Sequence, residues 1–331
     1  MRYALCVVGL LLGLDAAAPA QASSCSLAAG TTSTINFGTV NPLLPADTFA
    51  DSNTVEVSCN FTALALGARL CFNMGVGNTS PSTGARAMGA ASFRMNYNLY
   101  TDSSRTQVWS TAATTGPTSI LLVGPALGGD ASARFSYYAK LPGGQSGVST
   151  IGNANTLYSE TYTTGGYVDI SIGLLSTLLV NCPISAALLT QRLFIPLTVQ
   201  ATVQKNCTIN ATNLAFPPQG LLKQAVTANA QVTVRCTNNN GFAVALNGGS
   251  VANNVMARKM KHATAADTVG YQLYQDANYA TVWGDGVTGG TTLNGTGTGA
   301  NQTFTVYGRV PAQATPRPGN YSDTVLVTIT F

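Results

Sequence analysis

The sequence predicts an all-β protein made of two immunoglobulin-like β-sandwich domains, the second lacking its seventh strand. Three observations carry this prediction. Short alternating runs separated by Gly, Pro and Asn turns recur along the whole chain, which is the pattern of a sandwich. Ordered matches between the two halves mark a duplication. One long strand pattern lies between the copies and has no counterpart after the second.

The first element is a leader. Arg2 supplies a positive end, residues 4–14 an apolar run, and Ala20-Gln21-Ala22 a small-x-small cleavage site. The run is too short to span a bilayer, so residues 1–22 are expected to be removed on export. Cys6 leaves with them, and six cysteines remain: Cys25, Cys59, Cys71, Cys182, Cys207 and Cys236. An even count in an exported chain points to disulfides. Charged residues are only 8% of the sequence and the net charge is +4, with no Lys/Arg cluster. This disfavours a helical or disordered chain, and a nucleic-acid or anionic-membrane partner.

The repeat is read from three runs. Tyr97-Asn98-Leu99-Tyr100-Thr101-Asp102 with Val108-Trp109 matches Tyr271-Gln272-Leu273-Tyr274-Gln275-Asp276 with Val282-Trp283. Residues 135–142 match 304–311 without a gap, and Ala85-Arg86-Ala87-Met88 matches Ala257-Arg258-Lys259-Met260. In the first copy, strands are expected near 25–38, 53–60, 68–74, 92–100, 132–141 and 157–172. In the second they are expected near 207–216, 226–237, 241–247, 268–275, 301–310 and 321–331. The extra stretch is 193–203, where Leu193, Ile195, Leu197, Val199, Ala201 and Val203 alternate with Phe194, Pro196, Thr198, Gln200 and Thr202. Period two with one apolar face is a strand of about 36 Å at roughly 3.3 Å per residue. It gives the first copy a seventh strand and leaves the second with six. The domains are therefore expected at 23–205 and 206–331.

The repeat also pairs Cys25 with Cys59 and Cys207 with Cys236 as equivalent bridges. Cys71 and Cys182 occur only in the first copy, and are expected either to bond to each other or to remain buried thiols.

Both copies resemble the spore coat protein U domain, the pilin domain of archaic (Csu-type) chaperone–usher pili. The Y-x-L-Y-x-D…W run, the F-x-x-Y-x-[KR]-x-P run and Gly319-Asn320-Tyr321-Ser322-Asp323-Thr324-Val325 carry the resemblance. In the first copy two segments compete for the last motif, Tyr158-Ser159-Glu160-Thr161 and Gly165-Gly166-Tyr167-Val168-Asp169. The resemblance implies an incomplete sandwich whose missing strand is donated in trans by an adjacent pilin. It also implies a periplasmic chaperone, an outer-membrane usher, and a place at the pilus tip on the cell surface. Cleavage after Ala22 is expected to leave no donor extension before Cys25. An acceptor without a donor strand resembles a two-domain tip adhesin.

The loops after strands two, four and six of the first copy are expected at the far pole. They carry Leu64 and Leu66; Ile120, Leu121, Leu122 and Val123; and Leu174, Leu175, Leu178 and Leu179. Turns are normally polar, and the corresponding loops of the second copy are rich in Asn, Gly and Thr. Three apolar loops at one pole predict a hydrophobic contact surface for attachment and biofilm formation; extra core is the alternative reading. A coat or fibre subunit and a lectin-like adhesin for a glycan are the competing functions. No enzyme is expected. His262 is the lone histidine, Glu160 and Asp169 form the only candidate acidic pair, and residues 284–300 lack the Gly-Lys-Ser/Thr ending of a phosphate loop. No cofactor and no metal are expected.

Overall fold

The computed structural model describes residues 22–111, 118–174 and 181–331. The predicted leader, apart from Ala22, and the candidates Leu175, Leu178 and Leu179 lie outside the described residues. No helix occurs among the described residues.

The first sandwich contains β1 (Ser24–Leu27), β2 (Thr34–Val40), β3 (Thr48–Phe61), β4 (Gly67–Met74), β5 (Ala87–Ala90), β6 (Phe93–Asn96) and β7 (Asn98–Tyr100). It continues with β8 (Thr118–Val123), β9 (Gly129–Leu141), β10 (Thr156–Tyr162), β11 (Gly166–Gly173), β12 (Gln191–Phe194) and β13 (Leu197–Val203). The second contains β14 (Cys207–Ala211), β15 (Val226–Cys236), β16 (Gly241–Leu246), β17 (Arg258–His262), β18 (Thr268–Tyr274), β19 (Leu293–Thr296), β20 (Gln302–Val310), β21 (Tyr321–Ser322) and β22 (Val327–Thr330). Each sandwich encloses its own core, one running from Cys25 to Val203 and the other from Val226 to Val310.

The sixth strand of the first sandwich runs from pole to pole as β10 and β11, switching sheets at residues 163–165. The 193–203 pattern returns beside it, also in two pieces. β12 pairs antiparallel with β11, and β13 lies between β10, antiparallel, and β2, parallel. The single continuous strand expected from periodicity is thus divided at Pro196, which has no N–H to give to a ladder. Ile195 N still donates to Gly166 O at 2.8 Å, so the strand changes sheets with its partner. Ile195, Leu197, Val199, Ala201 and Val203 are all buried.

In the second sandwich β21 pairs with β17 and β22 with β16, as β10 pairs with β5 and β11 with β4. Among the described residues no strand of the second sandwich corresponds to β12 or β13, and β21 and β22 end their sheets. The continuous strand expected at 321–331 shrinks to its two paired ends. The segment matching β2, which holds Leu214 and Phe216, has no ladder partner either. Several further expected strands also divide: 25–38 into β1 and β2, 92–100 into β6 and β7, and 157–172 into β10 and β11.

A buried polar frame repeats in both copies. Arg86 donates to the carbonyls of Met74 (2.7 Å) and Trp109 (2.6 Å), and Arg258 to those of Leu246 (3.0 Å) and Trp283 (2.9 Å). Trp109 and Trp283 donate their indole N–H to Phe72 O and Val244 O. Tyr97 OH donates to Glu160, and Tyr271 OH to Asp323. Glu160 therefore corresponds to Asp323, and Tyr158-Ser159-Glu160-Thr161 is the true counterpart of Tyr321-Ser322-Asp323-Thr324. The carboxylates hold equivalent loops. Glu160 accepts from Ser80 N (2.8 Å) and Ser80 Oγ (2.7 Å), and Asp323 from Ser250 Oγ (2.9 Å) and Val251 N (3.1 Å). Burial, with the neighbouring Tyr162 and Glu160, raises the Tyr97 phenol well above its usual range, so it remains a donor.

Glu160 is fully buried. Glu160→Leu strands several donors away from water, and is expected to destabilise the first sandwich by about 3 kcal/mol or more in a urea titration. Asp102→Ala, at an exposed turn, is expected to cost less.

Candidate functional site

The first candidate site is the pole where β4, β8 and β11 end together. Gly67 lies opposite Val123 on one side and Gly173 on the other. Gly124 N donates to Leu66 O at 2.9 Å, tying the loop after β8 to the loop after β3. The loops after β3 and β8 and the start of the segment after β11 therefore meet at one end. Leu64 is 84% exposed, Val123 61% and Leu174 55%; Leu66 and Leu121 are exposed to a lesser degree.

Two predicted contacts are not on this surface. Ile120–Val123 belong to β8, an edge strand paired along residues 67–72, and not to a loop. Pleating turns Leu122 into the core and packs half-buried Ile120 against it, leaving Leu121 and Val123 outside. Leu127, absent from the predicted contacts, is 92% exposed. Its place between Gly124-Pro125 and Gly128-Gly129, residues that mark a turn, was the available signal.

Cys71 and Cys182 form a disulfide with Cα atoms 5.8 Å apart, beside the repeat-related bridges Cys25–Cys59 and Cys207–Cys236. The Cys71–Cys182 bridge fastens the segment leading into β12 to the centre of β4. Asp169 on β11 and Arg192 on β12 add an ion pair at 2.6 Å, with the guanidinium 4.1 Å above the Tyr167 ring.

The corresponding pole of the second sandwich faces the first sandwich. Asn238 O accepts from Thr150 N at 2.9 Å, and Asn238 Nδ2 donates to Ser149 Oγ at 2.6 Å. Gly241 N donates to Asn153 Oδ1 at 2.9 Å. A Cβ on Gly299, which has φ +74°, would lie 1.8 Å from Ser146 O. These loops are polar because they seat the neighbouring domain. Their contrast with the first copy therefore sets a docked pole against one that seats no neighbouring domain.

The second candidate site is the unpaired edge of β21 and β22. Cavities of about 500 Å³ and 620 Å³ lie along the unpaired edge. The larger lies between 214–222 and 315–321, and the other extends past Tyr271, Val306 and Val325. Leu214, Phe216, Tyr321, Val325, Val327 and Ile329 are only half-buried there, whereas Ile35, Phe37, Tyr158, Tyr162, Gly166 and Val168 at matching positions are buried.

The residues weighed for catalysis are engaged elsewhere. Glu160 is locked by Tyr97 and Ser80, Asp169 pairs with Arg192, and half-buried His262 packs against the Tyr321 ring. No cluster with metal-ligand composition occurs among the described residues.

A duplicated sandwich, one copy closed by its own strand and one with an unpaired edge among the described residues, defines an all-β protein of two immunoglobulin-like domains. The Spore Coat Protein U domain model matches residues 12–163 and 194–328, and the chain belongs to that family. It is 40% identical over 77 residues to Protein U of Myxococcus xanthus, a match spanning 42% of that protein's length. Among solved structures it is similar to the CsuC–CsuE chaperone–tip adhesion subunit pre-assembly complex from the archaic chaperone–usher Csu pili of Acinetobacter baumannii. That likeness has 16% identity and a TM-score of 0.49, and covers 93% of this chain and all of that one. It is also similar to the CupB6 tip adhesin from Pseudomonas aeruginosa, at 11% identity and a TM-score of 0.39, covering 94% and 95% of the two chains.

Replacing both Cys71 and Cys182 by Ala removes a bridge across 111 residues. Urea denaturation is expected to show the first sandwich destabilised by about 2–4 kcal/mol, with the second unchanged. Gly299→Val is expected to separate the domains, seen as a longer maximum dimension in small-angle scattering with both cores still folded.

Proposed function

We propose that this chain is the two-domain tip adhesin of an archaic chaperone–usher pilus. Cleavage after Ala22 releases the mature chain to the periplasm. Residues 23–205 form the surface-binding domain and 206–331 the pilin domain. The observation that carries this reading is the pairing of a self-completed sandwich with an open one. The open edge exposes unpaired backbone groups and apolar side chains, which calls for a chaperone before assembly and a donated strand after it. The usher and the next pilin are the partners this route requires.

The direction of the slot fits a fibre. β13 leaves the first sandwich at the pole nearest the second, so the completing strand leads straight into the next domain. A donated strand in the second slot, running antiparallel to β22 and β21 in the same way, leaves at the opposite end and continues the series.

Attachment is assigned to the outer pole, through Leu64, Leu66, Leu121, Val123, Leu127 and Leu174. Burying one Leu contributes roughly 1.5–3 kcal/mol, and many tips multiply weak contacts into firm hold on an apolar surface, as in biofilm formation.

Adsorption to polystyrene beads tests this reading. A Leu64→Asp/Leu127→Asp/Leu174→Asp variant, with the parent's thermal midpoint, is expected to bind at least tenfold less. Equal binding by parent and variant removes the apolar pole from the mechanism and leaves a structural coat or fibre subunit. Inhibition of the parent by a soluble glycan replaces the apolar surface with a lectin site.

A further inference from the structure

We infer that the open slot selects its strand by size, taking a small residue opposite Tyr321 and a bulky apolar residue opposite Val325. This rests on the reading of the slot as a strand acceptor.

The filled slot of the first sandwich supplies the register. Ala201 lies opposite Tyr158, Val199 opposite Glu160, and Leu197 opposite Tyr162. Directly opposed residues of an antiparallel pair hold their Cβ atoms about 4.5–5.5 Å apart on the same face, so the bulk of one limits the other. Tyr158 and Ala201 are both fully buried. The Tyr158 ring is held by its OH donating to Ser149 O at 2.7 Å, and its partner Ala201 presents only a methyl group.

The second sandwich keeps this feature and changes the other. Tyr321 takes the place of Tyr158; it is half-buried, and its OH donates to Arg317 O at 2.7 Å. The limit to a small residue therefore carries over. Val325 takes the place of Tyr162, and Val306 that of Tyr137. In the first sandwich both rings are buried, and the Tyr162 hydroxyl lies 2.6 Å from that of Tyr97. In the second, Tyr271 bonds to Asp323 alone, and Val306 and Val325 both line the 500 Å³ cavity. Two rings are missing from one place, so the strand must bring the volume. Leu197, which suffices opposite a tyrosine, underfills the position opposite a valine, and a close-packed core requires a residue the size of Phe there. From its N-terminal end the strand thus reads bulky, then apolar two residues on, then Ala or Gly four residues on.

The test extends the mature chain at its C-terminus with a short Gly linker and a second copy of residues 191–205. Hydrogen exchange of the β22 amides reports filling of the slot. The appended parent sequence is expected to slow exchange at least tenfold relative to the unextended chain. Leu197→Phe in the appended copy is expected to slow it at least a further threefold, and Ala201→Leu to return it to the unextended rate. Size selection is overturned if appended Ala201→Leu protects within threefold of the appended parent, or if appended Leu197→Phe fails to exceed it. Failure of the appended parent to protect at all overturns the strand-acceptor reading, and size selection with it.

Discussion

Both sandwiches depend on what lies along the outer edge of the sixth strand. That edge presents alternate backbone N–H and C=O groups and an apolar face over the core. β12 and β13 satisfy both demands in the first sandwich, and the core there closes around Ile195, Leu197, Val199, Ala201 and Val203. In the second, the same chain geometry leaves the edge bare, and the strand itself is reduced to β21 and β22. One strand, present or absent, therefore decides whether β2 has a partner, how much of the sixth strand is paired, and how far the core is closed.

The frame that survives this difference is polar and internal. Arg86 with Trp109, and Arg258 with Trp283, cap carbonyls that the sheet ladders leave over, while Glu160 and Asp323 each hold a tyrosine hydroxyl and a loop. Such groups tolerate little exchange, because a buried donor without its acceptor loses its hydration and gains nothing. The poles carry no such constraint. One has become apolar and exposed, and the equivalent one polar and docked.

Much of this was legible in the sequence, and the exceptions have physical causes. The alternation in 193–203 identified the completing strand because one face is buried from Ile195 to Val203. The repeat located the Cys25–Cys59 and Cys207–Cys236 bridges because cross-strand cysteines move together with their strands. The sheet change at Pro196 was hidden, because a strand that passes from one sheet to another keeps its period of two. Leu122 was placed in a loop because Ile120-Leu121-Leu122-Val123 has no alternation; its pleat appears only once β8 pairs with β4. The polar loop at Thr237–Gly241 read as an ordinary turn, since an intramolecular interface built on Asn side chains has the composition of a solvated loop. The rivalry between the motifs at 158 and 165 was settled by the acid that faces a tyrosine hydroxyl.

The bridge between Cys71 and Cys182 has a mechanical consequence. A pull applied at the 62–66 loop and resisted at the linker after Val203 runs along β4 to Cys71, crosses to Cys182, and leaves through β12 and β13. The 111 residues of sequence separation spanned by the bridge lie outside that route. Without it they would add roughly 370–400 Å of slack on unravelling, at about 3.3–3.6 Å per residue. With it, the outer pole and the linker remain joined by a short covalent tether even when the sandwich between them has lost its fold.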